Sequence, residues 1–350
     1  AEKAQKAWGQ MPPRQRADLL YGLCAQVRAN REELATVLTR DQGKLFKVAK
    51  FEVDVFCSFV EYACEWARRI EGDILPSDNE NEQIWIQKIP RGVVVAITAW
   101  NFPFALAGRK IGPALVAGNT LVLKPTTETP LSTLMLGDLA KKAGIPDGVL
   151  NIITGPGRTL GDALVRNPIT KMVTMTGSTP AGQAIFKAAS DNLAHVQLEL
   201  GGKAPLIVFE DADPVYAAKC AVLFKFLNTG QACIIPNRIF VHQSIIEPFV
   251  EEFKSRVSKM RAGSGFENGV NIGPLVNDAA IQKVERQVTD AVDQGATLIC
   301  GGRRLKDNHL DKGFFYAPTL LSDVTPNMLI YREETFGPVA PVITFNTDEE

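Results

Sequence analysis

The chain is poor in the residues from which metal centres and disulfide frameworks are built. It holds 3 histidines and 6 cysteines in 350 residues, and cysteines 24, 57, 64, 220, 233 and 300 form no CxxC pair. Zinc ligation and a disulfide scaffold therefore find little support. It also lacks an excess of either charge: 38 basic residues face 39 acidic ones, a net charge of -1. Without a strong field it has no means of holding nucleic acid or an acidic membrane surface. No apolar run approaches the roughly 20 residues that cross a bilayer. The opening AEKAQKAWGQMPPRQ has no signal-peptide pattern, and no internal repeat or low-complexity segment occurs. These absences leave a soluble globular protein whose partner is a small molecule in a pocket. A reducing compartment, the cytoplasm, is expected from the scattered cysteines.

What is present is 45% apolar residues and a length that suits two domains rather than one core. Both ends read as cut. Ala1, Ala4, Ala7 and Trp8 already recur at helical spacing without a cap, and the acidic 348–350 follows directly on an apolar strand pattern. The chain is expected to be part of a longer protein.

Residues 1–70 read as helices, with one apolar face at Leu19, Leu20, Leu23 and Val27 and another at Phe51, Val55, Phe59 and Cys64. Residues 71–90 turn polar and then alternate at 84–89, which predicts a hairpin or bridge. From 91 onward short apolar runs alternate with helical patterns. Strands are expected at 92–98, 120–124, 149–154, 171–176 and 195–200, and helices at 103–116, 131–143, 159–166 and 180–190. That alternation predicts an α/β fold with a doubly wound, Rossmann-like parallel sheet, whose ligands sit beyond the carboxyl ends of its strands. After Gly201-Gly202 a second α/β series begins, with strands at 205–209, 238–242, 297–300 and 341–345 and helices at 214–228, 245–260 and 277–294. The domain boundary is placed near 201.

Some residues suit chemistry, and each also has a plainer reading. Cys233 follows a glycine-containing turn at a helix end, where a thiolate meets substrate and adds to a carbonyl. The plainer role, a small buried hydrophobe, fits the other five cysteines. Glu199, at a strand end beside two glycines, is placed to act as a general base or to be a solvated glutamate. Asn101 is either an oxyanion donor or the N-cap of the helix opening at Pro103. Lys124 ends a strand facing the ligand crevice, which suits a ribose hydroxyl or a phosphate. The turn of residues 176–182 leads into a helix N-terminus, a seat for a pyrophosphate or an ordinary β–α turn; it is not GxGxxG.

Taken together, AWNFP (99–103), LVLKP (121–125), TGSTPAG (176–182), LELGGK (198–203) with GQAC (230–233), and EETFGP (333–338) occur in an order that closely resembles the aldehyde dehydrogenase superfamily. The likeness runs through essentially all 350 residues and is nearest the lactaldehyde and succinate-semialdehyde branches. It implies the aldehyde dehydrogenase fold, with an NAD(P)-binding domain from 1–70 and 91–201, a bridging hairpin at 71–90 and a catalytic domain at 202–350. It implies an oxidoreductase in which Cys233 is the nucleophile, Glu199 the base and Asn101 the oxyanion donor. NAD or NADP would meet Trp100, Lys124, Thr127, Gly177, Ser178, Leu200, Glu334 and Phe336. No metal is implied, and the full-length parent would be a homodimer or homotetramer.

Four departures from the family pattern bear on this. Ala99 replaces the usual proline before Trp-Asn. Thr127 stands where NAD-preferring members carry glutamate, so NADP is expected to be tolerated or preferred, with Glu128 beside it as a partial substitute. Arg109 matches an arginine of both branches and is either a substrate contact or a structural surface residue. The second arginine of semialdehyde enzymes is Leu227 here, which favours lactaldehyde, glycolaldehyde or similar short aldehydes over a dicarboxylic semialdehyde. The fourth departure is the expected truncation. Rival readings are a succinate-semialdehyde dehydrogenase proper, a CoA-acylating dehydrogenase and a non-catalytic structural relative.

Overall fold

The structure is a computed structural model and describes residues 1–307 and 309–350. The chain divides into two compact units: Ala1–Asp41 with Ala49–Leu200, and Gln42–Val48 with Gly201–Glu350.

The first unit begins with helices α1 (Glu2–Gln10), α2 (Pro13–Ala29), α3 (Arg31–Gln42) and α4 (Phe46–Glu65), the last entering from the 42–48 segment. Leu20, Leu23 and Val27 of α2 are fully buried, as their spacing predicts. The face expected on α4 holds at Cys64, which is buried, and in part at Val55 and Phe59, which are half-buried, but not at Phe51. Phe51 is 60% exposed, and the buried stripe is Val53, Phe56, Cys57 and Val60. Apolar residues lie all around this helix, so periodicity alone did not fix which side packs. A two-stranded antiparallel hairpin follows, β1 (Asp73–Pro76) and β2 (Gln83–Ile86), exposed along its length.

The sheet of this unit is built from β3 (Val93–Ile97), α5 (Pro103–Val116), β4 (Thr120–Lys124), α6 (Leu131–Lys142), β5 (Leu150–Ile152), α7 (Asp162–Arg166), β6 (Thr170–Thr176), α8 (Thr179–Ala189) and β7 (His195–Glu199). Its order is β5-β4-β3-β6-β7, all parallel. The chain winds outward from β3 to β5 and returns to the other side at β6. The point of reversal therefore lies at the carboxyl ends of β3 and β6. Val95, Val165, Val173, Ala188 and Ala189 form a buried cluster against this sheet.

The second unit carries β8 (Pro205–Val208), α9 (Pro214–Lys225), β9 (Arg238–His242), α10 (Ile246–Val257), α11 (Asp278–Asp293), β10 (Thr297–Cys300), β11 (Thr319–Ser322), α12 (Leu329–Arg332) and β12 (Val339–Phe345). Its strand order is β10-β11-β12-β9-β8, parallel except where β10 meets β11. Phe249, Phe253, Ile239 and Val342 are wholly buried in one core, Val284, Leu321 and Val339 in another. Helix α9 ends at Lys225, three residues before its expected end at 228, because Asn228 and Thr229 take left-handed backbone angles.

Candidate active site

Within the first unit the expected site residues collect at the carboxyl edge of one parallel sheet. Trp100 and Asn101 follow β3, Lys124 ends β4, Gly177 and Ser178 follow β6, and Glu199 ends β7. The Gly177 N–H donates to the Glu199 carbonyl at 3.0 Å, tying two of these strand ends together. A Cβ at Gly177 would lie 2.3 Å from the Met175 methyl, and one at Gly182 would lie 2.6 Å from Leu200. Both turns are thus held close by their lack of a side chain. Ser178 caps α8, its hydroxyl accepting from the Ala181 N–H at 3.4 Å.

Asn101 is 5% exposed and does not cap α5. That helix starts behind Phe102 with no side-chain cap of its own, and its first turn is held instead by a carboxylate from α4. Glu52, 1% exposed, accepts from the Phe104 and Ala105 N–H groups at 2.8 and 3.2 Å. A buried negative charge at a helix N-terminus meets both unsatisfied donors and the positive end of the helix dipole. Nothing local in the sequence announces a partner 52 residues away.

Lys124 is buried, its ammonium donating to the Pro125 carbonyl at 3.1 Å. Burial lowers its pKa, while Glu128 pushes it back up. Thr127 is exposed and donates to Glu128 at 3.4 Å; Thr126 donates to the same carboxylate oxygen. Arg109, half-exposed, has its guanidinium 3.8 Å from the Glu199 carboxylate and 5.7 Å from the centre of the Phe59 ring.

Three residues missed in the sequence stand behind Glu199. The Lys110 ammonium donates to the Thr174 hydroxyl at 3.0 Å, Thr174 donates to Oε1 of Gln197, and Nε2 of Gln197 donates to Glu199 at 3.1 Å. Lys110 is 4% exposed, and burial brings its pKa down to about 8, opposed by Glu199 and reinforced by Arg109. The available signal was a lysine at a buried helical position between Ala107 and Ile111, with polar side chains interrupting two apolar strands.

In the second unit the turn after α9 sets the nucleophile candidate. Asn228, Thr229 and Gly230 have φ of 49°, 60° and 76°, three left-handed residues in a row. Thr229 is the costly one, since a β-branched residue rarely goes there. Its hydroxyl offsets this by donating to the Gly273 carbonyl at 3.3 Å and accepting from the Gly273 N–H at 3.0 Å. Gly230 is obligatory: a Cβ would fall 2.1 Å from the Gly337 carbonyl. The turn thus packs against the 336–338 segment, where Phe336 also has a left-handed φ of 55°. Cys233 follows and is exposed, whereas Cys24, Cys57 and Cys64 are buried and Cys220 and Cys300 partly so. Glu334 lies over a glycine pair: it accepts from the Gly202 N–H at 3.4 Å, and a Cβ at Gly201 would come within 2.4 Å of its carboxylate. Lys203 donates to the Asn237 carbonyl at 3.2 Å and to Thr335 at 3.4 Å, and burial lowers its pKa to about 7.

Among the described residues no group of three or more His, Cys, Asp or Glu side chains gathers as a metal site would require, and no helix is long and apolar enough to cross a membrane. Residues 1–350 match the aldehyde dehydrogenase family. The chain is 56% identical over 350 residues to the 3,6-anhydro-alpha-L-galactose dehydrogenase of Vibrio sp. (strain EJY3), covering all of this chain and 73% of that protein. It is 41% identical over 351 residues to the lactaldehyde dehydrogenase of Escherichia coli (strain K12), covering 100% and 72%. A solved structure of 3,6-anhydro-L-galactose dehydrogenase in complex with NAP superposes with a TM-score of 0.97 at 54% identity, over 99% of this chain and 73% of that one.

Proposed function

Because the chain belongs to the aldehyde dehydrogenase family, we propose that it oxidises a short hydroxyaldehyde to the carboxylic acid with Cys233 as nucleophile. The observation that carries this reading is the exposure of Cys233, alone among six cysteines, after a turn whose backbone is fixed at three successive residues.

The Cys233 thiolate adds to the aldehyde carbon and forms a thiohemiacetal, and the side-chain amide of Asn101 donates to the oxyanion that develops. Such a donor is worth roughly 3 kcal/mol in comparable sites. Bound NAD or NADP supplies the hydride acceptor that takes the carbon to the level of a thioester. Glu199 then removes a proton from water, whose oxygen attacks the thioester carbon. The carbon–sulfur bond breaks, the acid leaves and the thiol is restored. Glu199 is the group that lets the acid form without CoA, against an acylating dehydrogenase.

The residues fit the cofactor. The α8 N-terminus behind Gly177 and Ser178 suits a pyrophosphate, and Lys124 suits the adenosine ribose or its phosphate. Glu334, braced on Gly201 and Gly202, would hold the nicotinamide ribose, with Phe336, Trp100 and Leu200 near the ring. Thr127, lacking a charge, does not repel a 2′-phosphate, so NADP is accepted. For the substrate, the relative's name extends the expected range from lactaldehyde and glycolaldehyde to an anhydrosugar aldehyde. Leu227 supplies no charge for a second carboxylate, and Arg109, drawn to Glu199, meets the substrate's hydroxyl end. The exposed Ile74, Ile84 and Trp85 of the hairpin suit burial in a homodimer or homotetramer, and a cytoplasmic setting suits cysteines that form no disulfide. Sedimentation that finds only monomer would remove the oligomer from this picture.

The test is kinetic. Cys233→Ala is expected to abolish NADPH formation from glycolaldehyde. Glu199→Gln should keep a first burst of NADPH and lose sustained turnover. Sustained turnover in Cys233→Ala overturns the proposal.

A further inference from the structure

We propose that Gln197 is a positioning residue for Glu199, held with its N–H toward the carboxylate by a one-way chain of hydrogen bonds that starts at Lys110 and passes through Thr174. The proposal rests on the reading of Glu199 as the base that activates water.

The direction of the chain follows from donor chemistry. An ammonium only donates. The Thr174 hydroxyl, accepting from Lys110 at 3.0 Å, must turn its own proton to another acceptor, and that acceptor is Oε1 of Gln197. With its oxygen so engaged, the amide has only Nε2 to offer Glu199, and it does so at 3.1 Å. A flipped amide would set oxygen against carboxylate oxygen. The sheet register builds the arrangement: Thr174 lies opposite Gln197, and Thr176 opposite Glu199, in the parallel β6–β7 ladder. Gln197 and Glu199, two residues apart, share a face of β7.

Burial makes the chain strict. Lys110 is 4% and Thr174 8% exposed, so water does not stand in for either. Arg109, a further partner of Glu199, is half-exposed and stands 3.8 Å away, too far for a hydrogen bond, so it is a poor anchor. The charged groups facing this chain within its unit are Glu199 on β7 and Arg109 on α5; the first raises and the second lowers the Lys110 pKa, which burial brings to about 8. Below that pH the amine only donates and the direction is enforced. Above it the neutral amine can accept, and the amide of Gln197 loses its fixed sense.

Three variants and one control test this, with glycolaldehyde and NADP as the probe. Thr174→Val keeps the volume and removes the hydroxyl; Gln197→Leu removes the donor; Thr174→Ser restores the hydroxyl. A hydrogen bond to a charged group of ordinary strength predicts that the first two lower kcat about 10-fold. KM should hardly move, and the first-turnover burst of NADPH should survive, because only hydrolysis is slowed. Thr174→Ser should recover most of the loss. The parent protein should lose kcat above pH 8, a fall that Thr174→Val no longer shows. Parent-like kcat and pH profile in Thr174→Val, a burst lost in step with kcat, or Thr174→Ser no better than Thr174→Val would each overturn the proposal. Glu199→Gln separates the two readings. If it turns over normally, the base assignment falls and takes the proposal with it; if it is impaired while Thr174→Val and Gln197→Leu are not, the positioning role alone falls.

Discussion

A hydroxyl in place of a carboxylate at residue 127 is a change of a few atoms with a large expected consequence. Thr127 is exposed beyond β4, and the adjacent carboxylate, Glu128, is occupied by the hydroxyls of Thr126 and Thr127. On the proposed cofactor assignment, a glutamate at 127 would place a full charge beside a 2′-phosphate. Like charges so juxtaposed cost several kcal/mol, so Thr127→Glu should cut kcat/KM for NADP by about 100-fold relative to NAD. Equal effects on both cofactors would count against the assignment. The sequence marks such residues well when their chemistry is local. Cys233 and Thr127 could be singled out because the first ends a motif, GQAC, and the second stands two residues past another, LVLKP. Glu52 does not, because its partners are the N–H groups of a helix 52 positions on. Lys110, Thr174 and Gln197 stayed hidden too, since the β6–β7 register pairs Thr174 with Gln197 and a hydrogen bond from α5 joins Lys110 to them.

At the scale of elements, strands were read more faithfully than helix ends and faces. β4, β9 and β10 have the bounds expected, each a short run with β-branched residues and a glycine or proline within two positions. β11 went unread, as Thr319–Ser322 offers four residues without alternation. α4 was turned partly to the wrong face, and α9 was run through Asn228, where the chain enters its left-handed turn. That turn is sensitive to a single methyl. Gly230→Ala would combine an unfavourable φ of 76° with a clash on the Gly337 carbonyl. It is expected to lower stability by about 2–4 kcal/mol. A denaturation midpoint equal to that of the parent would show that the turn yields more readily than its packing implies.

For the molecule as a whole, buried lysines govern how stability depends on pH. Burial lowers Lys203 and Lys225 to about 7 and Lys110 to about 8, from 10.5. Lys225 is fully buried, and its amine makes no hydrogen bond among the described residues. The unfolded chain therefore binds more protons than the folded one between about 7 and 10.5, and stability rises with pH there. Two thiols act in the opposite sense: burial pushes Cys64 from 9.0 up to about 12, and Cys24 is raised by its hydrogen bond with Cys57, whose own thiol is lowered, so at Cys64 and Cys24 the folded state holds protons that the unfolded one releases. Urea midpoints should climb from pH 7 to a maximum at about pH 10 and then decline. Lys225→Met should flatten the climb. A midpoint that falls steadily from pH 7 would contradict the account.

The three left-handed residues before Cys233 carry one more implication. The address of residue 233 is written in main-chain angles and in a glycine's missing carbon, so the scaffold is indifferent to which atom is delivered there. Oxygen or selenium, introduced by Cys233→Ser or by selenocysteine, would arrive at the same place, and differences in rate would report the element's own reactivity.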